Sequence, residues 1–142
     1  MEVIYKAIVP LNPVTKKNNV EICFKKDRAG HGFYKRTSRG LCYVGIPFIR
    51  QNERYRDYEQ DAGWFLKRPA FVIDFPVNVR CIFYRDSERR CDLTNLLEAI
   101  DDILVKYKIL ADDNFKIIAG HDDSRVLIDR DHPRTEIYIE KL

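Results

Sequence analysis

No run of about 18 apolar residues occurs anywhere in the chain, so no segment is expected to cross a bilayer as a helix. The opening MEVIYKAIVP also lacks the charged-then-apolar layout of an export leader, which makes the cytoplasm the expected compartment. Cysteine is sparse and dispersed: Cys23, Cys42, Cys81 and Cys91 form no C-x-x-C pair, and His31, His121 and His132 form no H-x₃₋₅-H partner for them. That argues against a zinc site and for reduced thiols, buried or half-buried. Repeats and low-complexity tracts are absent as well.

What remains is 142 residues with 45% hydrophobic composition, enough to bury one continuous core, and a single domain over 1–142 is expected. The net charge of +3 is unevenly spread. Residues 1–60 carry 12 Lys/Arg against 6 Asp/Glu, whereas residues 61–142 carry 13 against 16. Most of the excess lies in 16–39, where eight basic residues face only Glu21 and Asp27. Such a segment suits a polyanion, because each cation brought to a phosphate releases a condensed counterion. A solvated loop accounts for the same composition.

Residues 3–9, VIYKAIV, alternate loosely and end at Pro10, as a first strand would. The next thirty residues mix Lys, Gly and aromatics without a helical period and read as short strands or a hairpin-like arm. From Gln51 to Lys67, Tyr55, Tyr58, Ala62, Phe65 and Leu66 recur at three and four, one face of a helix that Pro69 would stop. In VNVRCIFYR the apolar residues Val77, Val79, Cys81 and Phe83 alternate with the rest, a strand expected to be buried mainly on one face, with Pro76 at its start. The period then switches. Leu93, Leu96, Leu97, Ile100, Ile103, Leu104 and Tyr107 stripe an amphipathic helix over 93–107. On a second face Thr94, Glu98, Asp102 and Lys106 fall four apart, with Asp102 and Lys106 oriented to support the helix by about 0.3 kcal/mol. FKIIAG, VLIDR and TEIYIEK close the chain as strand-like segments.

RRCDLTNLLE sets two guanidiniums, a carboxylate and a helix start side by side. Asp92 at the helix N-cap has two readings: it caps the backbone and complements the dipole, or it binds metal. Asp112 and Asp113 follow the same helix, and two to four carboxylates of this kind suit Mg²⁺ or Mn²⁺, hard ions that take a phosphate oxygen as a further ligand. Such an ion acidifies a bound water and shields charge building on a leaving oxygen, while Arg89 and Arg90 would hold a phosphodiester bidentately. A helix of about 15 residues spans roughly 22 Å. Asp92 and Asp113 therefore meet only if the chain folds back along the helix, the helix is short, or a symmetric dimer joins them.

The segment DLTNLLEAIDDILVKYKILADDN resembles the signature region of the RusA family of Holliday junction resolvases. That family carries a basic run, then D-L-D-N-L, a further helix Asp, and a V/I-x-D-D turn. The matching residues here are Arg89-Arg90, Asp92-Leu93-Thr94-Asn95-Leu96, Asp102, and Ile109 through Asn114. IVPLNPVTKKNN and TEIYIE resemble the family's first and last strands, so the likeness covers residues 3–19 and 80–142.

The resemblance implies a RusA-like α+β fold, a small mixed or antiparallel sheet of about four to five strands packed against two main helices. It further implies a homodimer that cuts branched double-stranded DNA symmetrically at four-way junctions with Mg²⁺ or Mn²⁺. Asp92 and Asp113 would bind metal and catalyse, with Asp112 a further ligand and Glu98 a further catalytic candidate. Arg89, Arg90, Lys16, Lys17, Asn18 and Asn19 would contact DNA. Three positions depart from the pattern. Thr94 replaces the second motif Asp, and a hydroxyl is a far poorer Mg²⁺ ligand. Glu98 stands where a Lys is usual, and from one turn on it could reach back to supply the missing charge. Lys108 replaces a helix-ending Gly, which puts strain at that cap. The alternative is a junction-binding relative whose metal site Thr94 and Glu98 have disabled.

Overall fold

The computed structural model describes residues 1–17 and 19–142; Asn18, one of the expected DNA contacts, lies outside the described residues. In chain order the elements are β1 (Glu2–Val9), β2 (Val20–Lys25), β3 (Phe33–Thr37), β4 (Gly40–Gln51), α1 (Glu53–Gly63), β5 (Val77–Arg85), α2 (Leu93–Lys106), β6 (Ile118–Gly120), β7 (Arg125–Ile128) and β8 (Arg134–Lys141). The main sheet has five strands. β1 pairs antiparallel with β8, and β8 with β5; β6 and β7 then share the far edge of β5 as parallel partners, one at its start and one at its end. The expected α+β class, mixed sheet and two helices are therefore present. The middle of the chain adds a separate antiparallel sheet in the order β2-β4-β3.

α2 lies at the heart of the core. Its Leu96, Ala99, Ile100, Ile103 and Leu104 are buried in one cluster with Val9, Val79, Phe83, Ile137 and Ile139 of the sheet. Each such side chain contributes about 1.5–3 kcal/mol on leaving water, so the stripe read from the sequence is the main anchor of this helix. α1 starts at Asn52, whose Oδ1 accepts from the Tyr55 N–H at 3.1 Å, and buries Tyr55, Tyr58 and Ala62 in the same core. It ends at Gly63, earlier than the periodicity suggests, and Phe65 is exposed rather than buried. The last turn is tightly packed: a Cβ on Gly63 would lie 2.3 Å from the Tyr107 ring, which abuts it and donates its hydroxyl to the Glu59 carbonyl at 2.9 Å.

Two expectations are corrected here. β5 is buried on both faces, Asn78 and Ile82 included. It is an interior strand, and long cations lie flat over the rings beside it, Arg80 at 4.1 Å from the Tyr138 ring and Arg134 at 3.7 Å from the Tyr84 ring. Asp102 and Lys106 do not pair along the helix: Lys106 bonds Glu59 of α1, while Asp102 takes Lys16 at 2.5 Å. Tertiary neighbours outcompete a weak intrahelical pair.

After α2 the chain reverses through Lys108, which sits in the left-handed region at φ 61°. Ile73 then grips the returning strand on both sides, donating to the Ile109 carbonyl at 3.0 Å and accepting from the Ala111 N–H at 2.9 Å. Four free cysteines are present, Cys81 buried, Cys23 and Cys91 half-buried and Cys42 exposed. No helix among the described residues is long and apolar enough to cross a membrane.

Candidate active site

The reversal after α2 brings Asp113 back alongside the first half of that helix. There it lines a pocket of about 210 Å³ with Thr94, Leu97, Glu98, Asp101 and His121. Of the three routes by which Asp92 and Asp113 could meet, the chain folds back along the helix, but this brings Asp113 to Thr94 and Glu98 and not to Asp92. The Ile73 bridge carries the fold-back, since it fixes the strand just before the Asp112-Asp113 turn.

Asp112 and Asp113 divide their work. Asp112 shapes the turn: Oδ1 accepts the Asp113 N–H at 2.8 Å and Oδ2 accepts from the Asn114 amide at 2.5 Å. Those bonds lower its pKa. Asp113 faces the pocket, and partial burial, the Asp112 carboxylate and the charge of Asp102 raise its pKa. An ion or donor entering the pocket would relieve that unfavourable charge.

Asp92 occupies the N-cap position of α2 with an extended backbone, yet its side chain makes no cap hydrogen bond. Among the described residues its side chain accepts one hydrogen bond, from the Asn95 amide at 3.4 Å, and the residue is exposed. The carboxylate therefore is not consumed by capping. It does not line the Asp113 pocket; it stands two residues ahead of Thr94, which does.

The sequence reading missed two members of the pocket. A gap between β6 and β7 leaves the middle of the β5 edge without a strand partner, and the loop from His121 to Ser124 fills it with side chains. Ser124 Oγ accepts the Cys81 N–H at 3.0 Å, and His121 Nδ1 donates to the Val79 carbonyl at 2.7 Å. This turns His121 Nε2 toward α2, 2.9 Å from Asp101 Oδ2. The other oxygen, Asp101 Oδ1, is buried with no hydrogen-bond partner among the described residues. Burial raises the pKa of Asp101 and opposes charge on His121, but the Asp101 carboxylate and the Val79 carbonyl outweigh that opposition and raise the imidazole as well. The pair thus holds its shared proton to higher pH than either group alone. Asp101 could be suspected from its place one turn after Glu98. Nothing local marks His121, because its role depends on a gap in a sheet.

A second cavity adjoins the N-terminus of α2. This cleft of about 530 Å³ is lined by Arg54, Arg85, Arg89 and Arg90, together with Asn12, Thr15, Asn19 and the single carboxylate Asp86. Arg89, Arg90 and Asn19 were expected as DNA contacts; Arg54 from α1 and Arg85 from the end of β5 were not. Arg85 donates to the Arg89 carbonyl and so braces the loop that carries the double arginine. Lys17 is exposed, whereas Lys16 is held by Asp102 and is not a free cation.

Cys91 lines the basic cleft and Thr94 the acidic pocket, so Asp92 falls in sequence between the two. Among the described residues no three Asp, Glu, His or Cys side chains already converge as a metal cage. The pocket nonetheless has carboxylates from Glu98, Asp101 and Asp113 in its lining, hard oxygen donors of the chemistry that Mg²⁺ or Mn²⁺ takes. No protein-family model matches the chain, and no curated protein does.

Proposed function

We propose that the protein is a metal-dependent endodeoxyribonuclease of the RusA type, acting on four-way DNA junctions as a homodimer. The observation that carries this reading is the adjacency of an arginine-lined cleft and a carboxylate-lined pocket at the start of one helix, with Asp92, whose side chain makes no cap bond, between their lining residues in sequence. Phosphodiester hydrolysis needs both features: cations to seat the backbone, and carboxylates to gather a divalent ion at the scissile phosphate.

In this reading Arg89 and Arg90 hold the DNA backbone, with Arg54 of α1 in the same cleft and the exposed Lys17 as a further contact. Asp113 is the principal metal ligand in the pocket, and Asp92, which lies outside its lining, is a further ligand that has to swing in to reach the same ion. Glu98 restores the carboxylate that Thr94 lacks, since both line the same pocket. Asp112 acts through the turn it builds rather than by direct ligation, and His121 orients Asp101. A bound Mg²⁺ would supply an acidified water and neutralise charge on the departing oxygen. Cleavage of both strands across a junction calls for two such sites, hence the homodimer.

The experiment is Mg²⁺- or Mn²⁺-dependent nicking of a synthetic four-way junction, with Asp92→Asn and Asp113→Asn losing cleavage and keeping binding. Tight, salt-sensitive junction binding without cleavage in either metal would favour the second reading, a non-cleaving binder of branched DNA. Thr94 in place of a ligating carboxylate is the feature that supports it.

A further inference from the structure

The sheet formed by β2, β3 and β4 is not absorbed by the site described above. Its span, residues 20–51, holds seven Lys/Arg against two Asp/Glu, an excess larger than the +3 of the whole chain. Both carboxylates are engaged, Glu21 by Arg50 and Asp27 by His31. Lys25, Lys26, Arg28, Lys35, Arg36 and Arg39 have no ion-pair partner among the described residues, and all six are exposed. Like charges packed this closely repel, so the arrangement is suited to an external polyanion.

Its shape narrows the partner. β3 and the first half of β4 form a two-stranded ribbon, with Tyr34 opposite Tyr43 and Arg36 opposite Leu41. A tight turn closes it, in which the Thr37 hydroxyl donates to the Gly40 carbonyl at 2.9 Å and accepts from the Arg39 N–H at 3.3 Å. Every residue from His31 to Cys42 is exposed. Strand alternation sets Lys35 on one face and Arg36 on the other, with Arg39 in the turn, so cations flank the ribbon on both sides. A surface lying flat on a polyanion would carry charge on one face only. The major groove of duplex DNA is about 12 Å wide, admits a two-stranded ribbon, and has phosphates along both walls.

The base of the arm also meets the arginine cleft. Asn19, on the cleft wall, precedes β2 directly and accepts the Asn52 N–H at 2.8 Å, and Arg54 follows two residues later. The arm therefore starts beside the cleft that holds Arg54, Arg89 and Arg90.

We infer that the β3–β4 ribbon is a duplex-binding wing that enters the major groove of a DNA arm flanking the cleft. The inference rests on the reading that the protein acts on DNA. It assigns to Lys35, Arg36 and Arg39 a binding role separate from cleavage.

The test is binding of the full chain, in EDTA, to a fluorescent DNA duplex and to a single strand, over a salt series. The wing variant is Lys35→Ala/Arg36→Ala/Arg39→Ala, and its charge-keeping control is Lys35→Arg/Arg36→Lys/Arg39→Lys. For three lost phosphate contacts, the slope of log affinity against log salt should become shallower by about 2–3, with about a hundredfold weaker duplex binding near 0.1 M salt. The control should bind as the native chain does, and a duplex carrying bulky major-groove modifications should bind weakly. Native binding to duplex with an unchanged slope in the triple alanine variant would overturn the wing and leave the nuclease reading standing. An equal loss on single strands would overturn groove entry. No native binding to any DNA at low salt would overturn both.

Discussion

His121 on the loop between β6 and β7 reaches across to Asp101 on α2, with Nε2 2.9 Å from the carboxylate while Nδ1 holds the β5 edge through Val79. One imidazole thus ties the sheet to the helix that carries the candidate site. Because the Val79 carbonyl can only accept, Nδ1 keeps its proton, and a second proton between Nε2 and Asp101 Oδ2 makes the ring an imidazolium wherever the carboxylate is ionised.

The pH dependence follows from that bond. The folded-state pKa of His121 lies above its ordinary 6.5, so its contribution is complete below 6.5 and fades as pH rises through the raised value. A hydrogen bond to a charged group contributes about 1.5–3 kcal/mol. His121→Gln in the metal-free protein should therefore be destabilised by that order at pH 5.5. The gap to the native chain should narrow as pH rises above 6.5 and through the raised value, as read by urea unfolding. A gap that is constant or widens with pH would rule out the charged pair.

Asp113 offers a test with two opposite signs. Its raised pKa means that the ionised carboxylate is disfavoured in the folded protein above about pH 4. Asp113→Asn should then raise the melting temperature slightly without metal. The same substitution should reduce the stabilisation that millimolar Mn²⁺ gives the native chain. Equal Mn²⁺ shifts in both proteins would remove Asp113 from the ligand set.

Lys108 is strained at φ 61° where α2 ends. A left-handed backbone costs a side-chain-bearing residue about 1–2 kcal/mol, less the greater entropy that glycine loses on folding. Lys108→Gly should stabilise the protein by about 0.5–1 kcal/mol in denaturant titration. A destabilised variant would mean that the lysine side chain makes a compensating contact.

Gly63 marks where α1 and Tyr107 touch. Adding a methyl there drives the ring off its Glu59 bond, and overpacking of this kind costs about 1–3 kcal/mol, more than the modest helix propensity alanine gains at a last-turn position. Gly63→Ala should lower stability, and Gly63→Ala/Tyr107→Leu should recover part of the loss in a double-mutant cycle.

The sequence alone determined the helix over the Leu93–Tyr107 stripe and the strands around Val77–Phe83 and in TEIYIE, whereas the strain at Lys108 was read from the resemblance. In each of these the signal is local, a period or a single backbone conformation, and burial of one face enforces it. It also named Asp113 and the double arginine, through spacing and charge. Tertiary structure decided which of these groups meet. Asp113 reaches Glu98 because Ile73 zips the returning chain, Lys16 is claimed by a helix 86 residues away, and His121 enters the pocket through a gap between two short strands. Hydrogen bonds and ion pairs between distant segments have no period to read. Only the packed chain brings those partners within bonding distance.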